Sequence, residues 1–514
     1  MPDQGSESVS AEHLDVLIVG AGLSGIGAAH HLQRDAPGKR YAILEAREDL
    51  GGTWDLFRYP GIRSDSDMHT LGYRFRPWTE AKSIADGPSI LRYVRDTARE
   101  GGIDARIRFN HRVVAANWSS QEARWTVEAE RTDTGEAVTL TCDFLFMCSG
   151  YYRYDQGYTP EFPGIAGFGG EVVHPQHWPE DLDYAGKRVV VIGSGATAMT
   201  LVPAMAKDAA QVTMLQRSPT YVVSMPGEDA IANRLRRILP DRWAYTIVRW
   251  KNVTLQGLSY RLSRRRPGLM KKLLRRALVK ALPPGYDVDT HFKPTYNPWD
   301  QRLCLVPDAD LFRAISDGSA EIVTDRIAGF NERGIELESG AELEADVVVT
   351  ATGLNVLFLG GVRVQIDGEE PDMAKTMTYK GMMLNDFPNF AFTLGYTNAS
   401  WTLKADLVAE YVGRLLNHMD AGGYEVCVPR ITDPSVTEEP LLDFNSGYVL
   451  RALAGLPKQG SKEPWKLKQS YPFDLRGMRY GALEDGAMQF ERRPTRVEAS
   501  APAAPAGAAT VSGA

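Results

Sequence analysis

Two glycine-rich segments have the residue types and the spacing that hold the pyrophosphate of a dinucleotide. The first follows the mainly apolar run 14–19 and is Gly20-Ala21-Gly22-Leu23-Ser24-Gly25. The second follows the mainly apolar run 188–192 and is Gly193-Ser194-Gly195-Ala196-Thr197-Ala198, continued by Met199. In such a segment the first glycine makes a tight turn, the second lets the backbone approach the phosphates, and the third position lets helix and strand pack closely. A helix that begins here directs free N–H groups at the phosphates, so two nucleotide sites are predicted.

The residues beyond each segment indicate which nucleotide binds there. Glu45 ends the next apolar run, 41–44, and a carboxylate at this place accepts hydrogen bonds from a ribose 2′-hydroxyl, which suits FAD or NAD. At the second site the corresponding run, 212–215, ends at Gln216-Arg217-Ser218. A cation and a hydroxyl are the groups that a 2′-phosphate requires. We therefore predict FAD at the first site and NADPH at the second.

The order of the elements around these segments predicts an α/β fold with two Rossmann-like dinucleotide-binding domains. Short apolar runs alternate with helical stretches, which is typical of parallel βαβ sheets. The run 345–350, before Ala351-Thr352-Gly353, suggests that the chain returns to the first domain, so that the NADPH domain is inserted into a discontinuous FAD domain. The predicted divisions are a disordered tail 1–12, FAD domain 13–150, NADPH domain 151–221, helical insertion 222–298, NADPH domain 299–340, FAD domain 341–498 and a disordered low-complexity tail 499–514.

Composition excludes several other classes of protein. The 514 residues are 43% hydrophobic and 24% charged, with a formal net charge of −7, which argues against nucleic-acid binding and against general disorder. The four cysteines have no C-x-x-C spacing, so neither a disulfide framework nor a redox dithiol is expected. No G-x-S-x-G segment and no cluster of metal ligands occurs, so we expect no serine nucleophile and no metal. The absence of a signal sequence and of a transmembrane segment predicts a cytoplasmic protein.

Residues 242–286 form a basic segment, with twelve Lys and Arg and no Asp or Glu. One interpretation is a solvated helical face. The other is a basic amphipathic surface that contacts an anionic membrane peripherally, or another subunit in a homo-oligomer.

Two further motifs carry a family resemblance. The run Phe168 to Pro179 fits F-x-G-x-x-x-H-x-x-x-W-P, and a second motif extends from Gly51-Gly52-Thr53-Trp54 through Tyr59-Pro60-Gly61 to Asp65. Together with the glycine segments they resemble the type I Baeyer–Villiger monooxygenases, over about residues 13–495. The runs 54–65 and 296–304 are most similar to the ethionamide-activating monooxygenase branch of that family.

The resemblance implies an activity. Members of this family use NADPH to reduce FAD, and O₂ then forms a flavin C4a-peroxide that attacks a small ketone to give an ester or lactone; sulfides or thioamides are also oxidised. By similarity Arg302, in Asp300-Gln301-Arg302-Leu303, is the fixed cation beside the anionic species, and Asp65 is its carboxylate partner. Two alternatives stay open, which are a flavin N/S-monooxygenase without ketone activity and an NADPH-dependent flavin reductase or oxidase.

The same resemblance implies the remaining contacts. Ser24 and Glu45 are expected at FAD, Val113 would offer its backbone to the adenine, and the flavin would lie along Gly52, Thr53, Trp54, Asp55 and Leu56. NADPH is expected at Gly193 to Met199 with Arg217 and Ser218. His174 and Trp178 are assigned to coupling between the domains. Trp401 is either a lining residue of the cofactor cleft or a core aromatic.

Overall fold

The computed structural model of the chain describes residues 11–301, 303–442 and 446–492. The predicted tails, apart from residues 11 and 12, and the predicted catalytic Arg302 lie outside the described residues. The first strand already begins at Glu12.

The first sheet contains the predicted FAD-site strand. Its buried centre is Glu12–Val19, which pairs in parallel with Tyr41–Leu44 and with Ala137–Met147. Residues 16–19 are buried on both faces of the sheet, which is why they are apolar without alternation. The strands of this sheet, in spatial order, are Arg363–Ile366, His111–Ser119, Arg124–Arg131, Ala137–Met147, Glu12–Val19, Tyr41–Leu44 and Ile107–Arg108, with Phe390–Phe392 also paired to Ala137–Met147.

The second sheet is parallel throughout. Its strands, in spatial order, are Ala320–Thr324, Gln211–Gln216, Arg188–Ile192, Val347–Thr350 and Glu171–Val173. The strands of the second sheet thus lie, in sequence, between the two parts of the first sheet. The predicted α/β fold, with one nucleotide-binding unit inserted into a discontinuous other, is confirmed.

One strand lies in a different sheet from the one expected. The run 345–350 was expected to return to the first domain, but Val347–Thr350 pairs with Arg188–Ile192 of the second sheet. The return to the first sheet occurs later, at Arg363–Ile366 and Phe390–Phe392. A buried strand has the same apolar composition in either sheet, so its sequence did not distinguish them.

Helices cover both sheets and form most of the segment 222–298. Helix Leu23–Asp35 packs against Trp401–Gly422 around the largest apolar core. The helices are Leu23–Asp35, Thr53–Leu56, Met68–Leu71, Gly87–Glu100, Ala196–Met205, Ala230–Arg236, Asp241–Arg265, Pro267–Ala281, Val288–His291, Asp310–Ser316, Trp401–Gly422, Gly447–Ala452 and Tyr471–Asp474. Smaller strands are Val222–Met225, Cys304–Pro307, Ile327–Phe330, Gly334–Leu337, Glu342–Glu344, Thr378–Tyr379, Met383–Leu384, Val426–Pro429, Glu438–Pro440, Lys458–Gly460 and Met488–Glu491. Within the described ranges, no helix combines the length and the apolarity needed to span a bilayer.

Candidate active site

The first glycine segment has two glycines that the fold itself requires. Gly20 has a φ of +102°, a conformation that side chains with a Cβ rarely adopt. A Cβ on Gly25 would lie 1.8 Å from the carbonyl oxygen of Gly20, so only glycine lets the helix pack this closely on the strand. These two residues shape the turn whether or not a ligand is bound.

Gly22 is different because the protein leaves room for a side chain there. It precedes helix Leu23–Asp35 with a φ of −80°, and a Cβ on it would meet Gly52 Cα at an ordinary 3.6 Å. No side chain of the described residues caps this helix, so its first N–H groups are available to an acceptor. A glycine that has room for a side chain, followed by an uncapped helix of 13 residues, is the arrangement expected at a bound pyrophosphate.

Glu45 lies beside this turn and is buried. Its carboxylate accepts hydrogen bonds from the backbone N–H of Ala21 at 2.7 Å and of Arg47 at 3.0 Å. Burial raises the pKa of Glu45 above its usual range, while both donors favour the ionised form. The carboxylate is therefore fixed against the first glycine segment, as a ribose acceptor must be.

The motif that begins at Gly51 packs against the same turn, but its side chains point to different partners. Thr53 Oγ1 lies 3.3 Å from the hydroxyl of Tyr154, and burial raises the pKa of Tyr154 to about 12. Asp55 is buried and accepts from Arg47 Nη2 at 2.6 Å and from Arg95 Nη2 at 3.4 Å. Arg58 Nη2 also lies 3.7 Å from Asp55 Oδ1, so the structure directs the Asp55 carboxylate to three arginines.

The other residues predicted at FAD lie in four different places. Trp54 and Leu56 are half-buried and pack against two different apolar cores. Val113 is buried in strand His111–Ser119, next to a β-bulge that separates it from Ala115. Ser24 is buried at the start of the first helix.

The second glycine segment also contains one glycine that the fold requires and one that has space for a side chain. Gly193 has a φ of +141°, and a Cβ on it would lie 2.3 Å from the carbonyl oxygen of Ala351. Gly195, which precedes helix Ala196–Met205, has no atom within 4 Å of a Cβ position. Ala198, at the third position, is fully buried. No described side chain caps this helix either.

Arg217 and Ser218 follow strand Gln211–Gln216 and are exposed. The hydroxyl of Ser194 donates to the carbonyl of Ser218 at 3.0 Å, so this turn lies against the second glycine segment. Arg217 makes no hydrogen bond or ion pair with another described residue. A cation here is available to an anionic ligand.

Residues 59–65 connect the first motif to the second site. Tyr59 hydrogen-bonds to Thr197, and burial, together with the nearby charge of Asp65, raises the pKa of Tyr59 to about 12. Arg63 forms an ion pair with Asp310 and donates to the carbonyl of Met199 at 3.4 Å. Asp65, itself half-buried, is therefore placed near the helix that begins the second site.

The F-x-G to W-P motif lies where the chain crosses between the sheets. His174 Nε2 is 3.2 Å from the carbonyl oxygen of Gly353, which follows the second-sheet strand Val347–Thr350. Trp178 is half-buried against the core of the second sheet. Segments 151–158 and 353–357 hydrogen-bond to each other, as at Arg153 N to Asn355 O, 2.8 Å. His174 thus contacts the chain that leaves the second sheet, Trp178 contacts the core of that sheet, and their role in coupling the domains stays a prediction.

Arg302 lies outside the described residues, so only its neighbours are placed. Strand Cys304–Pro307, which begins two residues later, pairs in parallel with Val222–Met225. The thiol of Cys304 lies 3.9 Å from the carbonyl oxygen of Ser194, in the second glycine segment. The chain next to Arg302 therefore reaches the NADPH side of the site.

An apolar pocket adjoins the first glycine segment. Trp401 lines it, donates from Nε1 to Ser24 Oγ at 2.8 Å, and stacks on Tyr151 at 5.2 Å between ring centroids. Its lining is Tyr151, Val356, Phe358, Leu394, Gly395, Tyr396, Thr397, Trp401, Leu441, Leu442, Tyr448, Val449 and Leu456. Trp401 thus lines this apolar pocket, and its place in the cofactor cleft stays a prediction.

Sequence reasoning missed Tyr151 and Tyr154. Tyr151 directly follows Ser149-Gly150, beyond the end of strand Ala137–Met147, and Tyr154 lies three residues further along. The carboxyl ends of parallel strands are where ligands bind in such sheets, and this signal could have indicated them.

The comparisons with known proteins agree with this geometry. The flavin-binding monooxygenase-like family model matches residues 82–279, and the NAD(P)-binding Rossmann-like model matches residues 18–84. The chain is 58% identical over 487 residues to the FAD-containing monooxygenase EthA of Mycobacterium tuberculosis, covering 95% of this chain and 99% of that protein. It belongs to this family of FAD-containing monooxygenases, and the expected resemblance is confirmed.

Two further similarities extend the comparison. The putative FAD-containing monooxygenase MymA of Mycobacterium tuberculosis is 52% identical over 484 residues, covering 93% of this chain and 98% of that one. The solved structure of an oxidized steroid monooxygenase bound to NADP is 25% identical with a TM-score of 0.68, covering 81% of this chain and 87% of that chain. The protein is a flavin monooxygenase with FAD and NADPH as cofactors, as predicted.

Proposed function

We propose that this enzyme inserts one oxygen atom of O₂ next to the carbonyl of an uncharged, lipophilic ketone to give an ester or lactone, and that it also oxidises sulfides or thioamides. The apolar cavity beside the first glycine segment is the observation that carries this proposal. When bound, FAD supplies the electron transfer from NADPH to O₂ and the transfer of oxygen to the substrate. The chain itself binds and orients the cofactors and the substrate, and it excludes water from the site.

The polar atoms of the cavity's aromatic residues are engaged elsewhere. The hydroxyl of Tyr151 donates to Tyr152 at 2.7 Å, and that of Tyr396 donates to Asp474 at 2.7 Å. Trp401 donates to Ser24. The cavity therefore presents ring faces and aliphatic groups, and a charged substrate would lose its hydration without gaining a partner.

This lining predicts how rate depends on substrate length. Burial of one CH₂ group contributes about 0.8 kcal/mol. Along a series of linear 2-ketones, kcat/KM should rise about fourfold per CH₂ until the cavity is filled. A flat or falling series would contradict an apolar site.

We assign the fixed positive charge of the reaction to Arg302, with Asp65 as the carboxylate that orients it. A guanidinium is always charged and rigid, so it can stabilise negative charge that develops near the reacting oxygen. The location of residues 59–65 at the second site supports Asp65 in this role. We also infer that the reaction takes place in the cytoplasm, since it uses NADPH and all four cysteines are free.

The test uses purified holoenzyme, NADPH and O₂ with either 2-ketones or aryl sulfides. Ester from ketone supports the proposal, sulfoxide alone favours the N/S-monooxygenase, and hydrogen peroxide without either product favours the reductase or oxidase. Arg302→Ala should keep FAD and lose ester formation, whereas Arg363→Ala, on an exposed strand position of the first sheet, should change neither. Ester formation by Arg302→Ala at the wild-type rate would refute that assignment.

A further inference from the structure

The helices of the basic segment have two unlike faces. On Asp241–Arg265 one face packs against the first domain, with Arg249 buried and donating from Nη1 to the carbonyls of His69 and Gly72, both at 2.8 Å. One and two turns further, Asn252 and Gln256 donate to the carboxylate of Asp67 at 2.8 and 3.0 Å. These contacts fix which face of the helix points outward.

The outward face is apolar. Trp243, Ile247 and Leu258 expose 66%, 47% and 55% of their surface, and Trp250 is also exposed. Their spacings of four, three and eight residues place them along one side of a helix, opposite Arg249. Helix Pro267–Ala281 continues the pattern, because Leu269 and Leu273, four residues apart, expose 48% and 43%. Soluble surfaces rarely expose large apolar side chains in such rows.

Cations without acidic partners accompany these rows. The segment 242–286 has twelve Lys and Arg and no Asp or Glu, although the whole chain is net −7. Arg264 and Arg275 pair with Asp300 and Asp289, and Lys251 with Asp229. Those that make no ion pair with a described residue are Arg242, Arg261, Arg265, Arg266, Lys271, Lys272, Arg276 and Lys280.

We propose that the outward face of helices Asp241–Arg265 and Pro267–Ala281 docks peripherally on an anionic lipid membrane. Apolar rows that include tryptophan, flanked by unpaired cations, match the boundary between acyl chains and anionic headgroups. A symmetric contact between two copies would place the same basic patch on both sides, so like charges would oppose it. The membrane is therefore the occupant that the charge favours.

The experiment measures co-sedimentation of the holoenzyme with vesicles. Vesicles of phosphatidylcholine alone are compared with vesicles that contain about one third phosphatidylglycerol, at low and high salt. The wild type should bind the anionic vesicles, and binding should fall as salt screens the charges.

Charge and apolar contributions are tested separately. Each cation near an anionic surface contributes about 1 kcal/mol, so reversal of three should lower the partition coefficient at least 100-fold. The charge variant is Arg261→Glu, Arg265→Glu and Arg276→Glu. The apolar variant is Trp243→Ser, Ile247→Ser and Leu258→Ser. A matched control reverses three exposed cations elsewhere that also make no ion pair with a described residue, Lys207→Glu, Arg326→Glu and Arg363→Glu.

The proposal holds if both variants lose vesicle binding, the control keeps it, and all three consume NADPH with a water-soluble substrate at the wild-type rate. It is overturned if the wild type does not bind anionic vesicles or if the variants bind as well as the control. It is also overturned if sedimentation velocity shows that the variants break up an oligomer, because the occupant would then be a second copy.

Discussion

Replacement of Gly195 by alanine separates the ligand-binding role of a glycine from its structural role. Gly195 precedes helix Ala196–Met205 with a φ of −81°, which alanine also adopts, and no atom lies within 4 Å of the added Cβ. In the protein alone the methyl group is therefore tolerated. With NADPH bound, it would occupy the space that the pyrophosphate needs.

The magnitude follows from the hydrogen bonds at the helix N-terminus. A charge-assisted bond from a backbone N–H to phosphate is worth about 1.5–3 kcal/mol. If the methyl group displaces the phosphate from one such bond, KM for NADPH should rise roughly 10- to 150-fold. The free energy of unfolding should change by less than about 1 kcal/mol, because two effects oppose each other. Alanine lowers the entropy of the unfolded chain, which stabilises the protein, but it is a poorer N-cap residue than glycine, which destabilises it.

The assay is steady-state NADPH oxidation, together with thermal unfolding of the flavin-loaded enzyme. Gly268→Ala is the matched control, since Gly268 also lies at the start of a helix with open space at its Cβ, but in the basic segment. Gly193→Ala should instead lower stability, because its Cβ would lie 2.3 Å from the carbonyl oxygen of Ala351. An unchanged KM in Gly195→Ala would refute the placement of the pyrophosphate.

Three further substitutions test the two nucleotide sites and the first helix. Glu45→Gln leaves one of two backbone N–H donors without an acceptor, so unfolding free energy should fall by about 1–3 kcal/mol and FAD should dissociate more readily; an unchanged flavin content after dialysis would contradict this. Arg217→Ala should raise KM for NADPH roughly 10- to 100-fold and leave KM for NADH unchanged, as measured in parallel with both nucleotides. Burial lowers the pKa of His30, which is stacked on Phe75, to about 4 from its ordinary 6.5. The contribution of the neutral His30 side chain to the free energy of unfolding is therefore complete above pH 6.5 and is lost as pH falls toward 4. His30→Phe should therefore lose less stability than the wild type over this range, by about 1–2 kcal/mol after allowance for solvent screening, as followed by urea unfolding.

Local features of the fold were predictable from sequence because they are encoded within a few residues. The strand, the Gly20 turn and the following helix form one continuous segment, and Glu45 is 20 residues beyond Gly25. Sheet membership is not local in this sense. Val347–Thr350 has the composition of any buried strand, and only its pairing with Arg188–Ile192 assigns it to the second sheet.

The site depended still more on contacts between distant residues. Trp401 meets Ser24 across 377 positions, so no sequence window could place it in the cavity. Asp55 was predicted along the flavin from its motif, but the positions of Arg47 and Arg95, which bind its carboxylate, were not predictable. Motifs thus identified the nucleotide sites, whereas the substrate cavity emerged from tertiary packing.

The most direct test of the proposed reaction is the fate of isotopically labelled oxygen. The holoenzyme is given NADPH, a lipophilic 2-ketone and ¹⁸O₂, and the product is analysed by mass spectrometry. We predict an ester that carries one ¹⁸O atom per molecule, with one NADPH consumed for each ester formed. An unlabelled ester, or NADPH consumption that yields only labelled hydrogen peroxide, would contradict oxygen insertion.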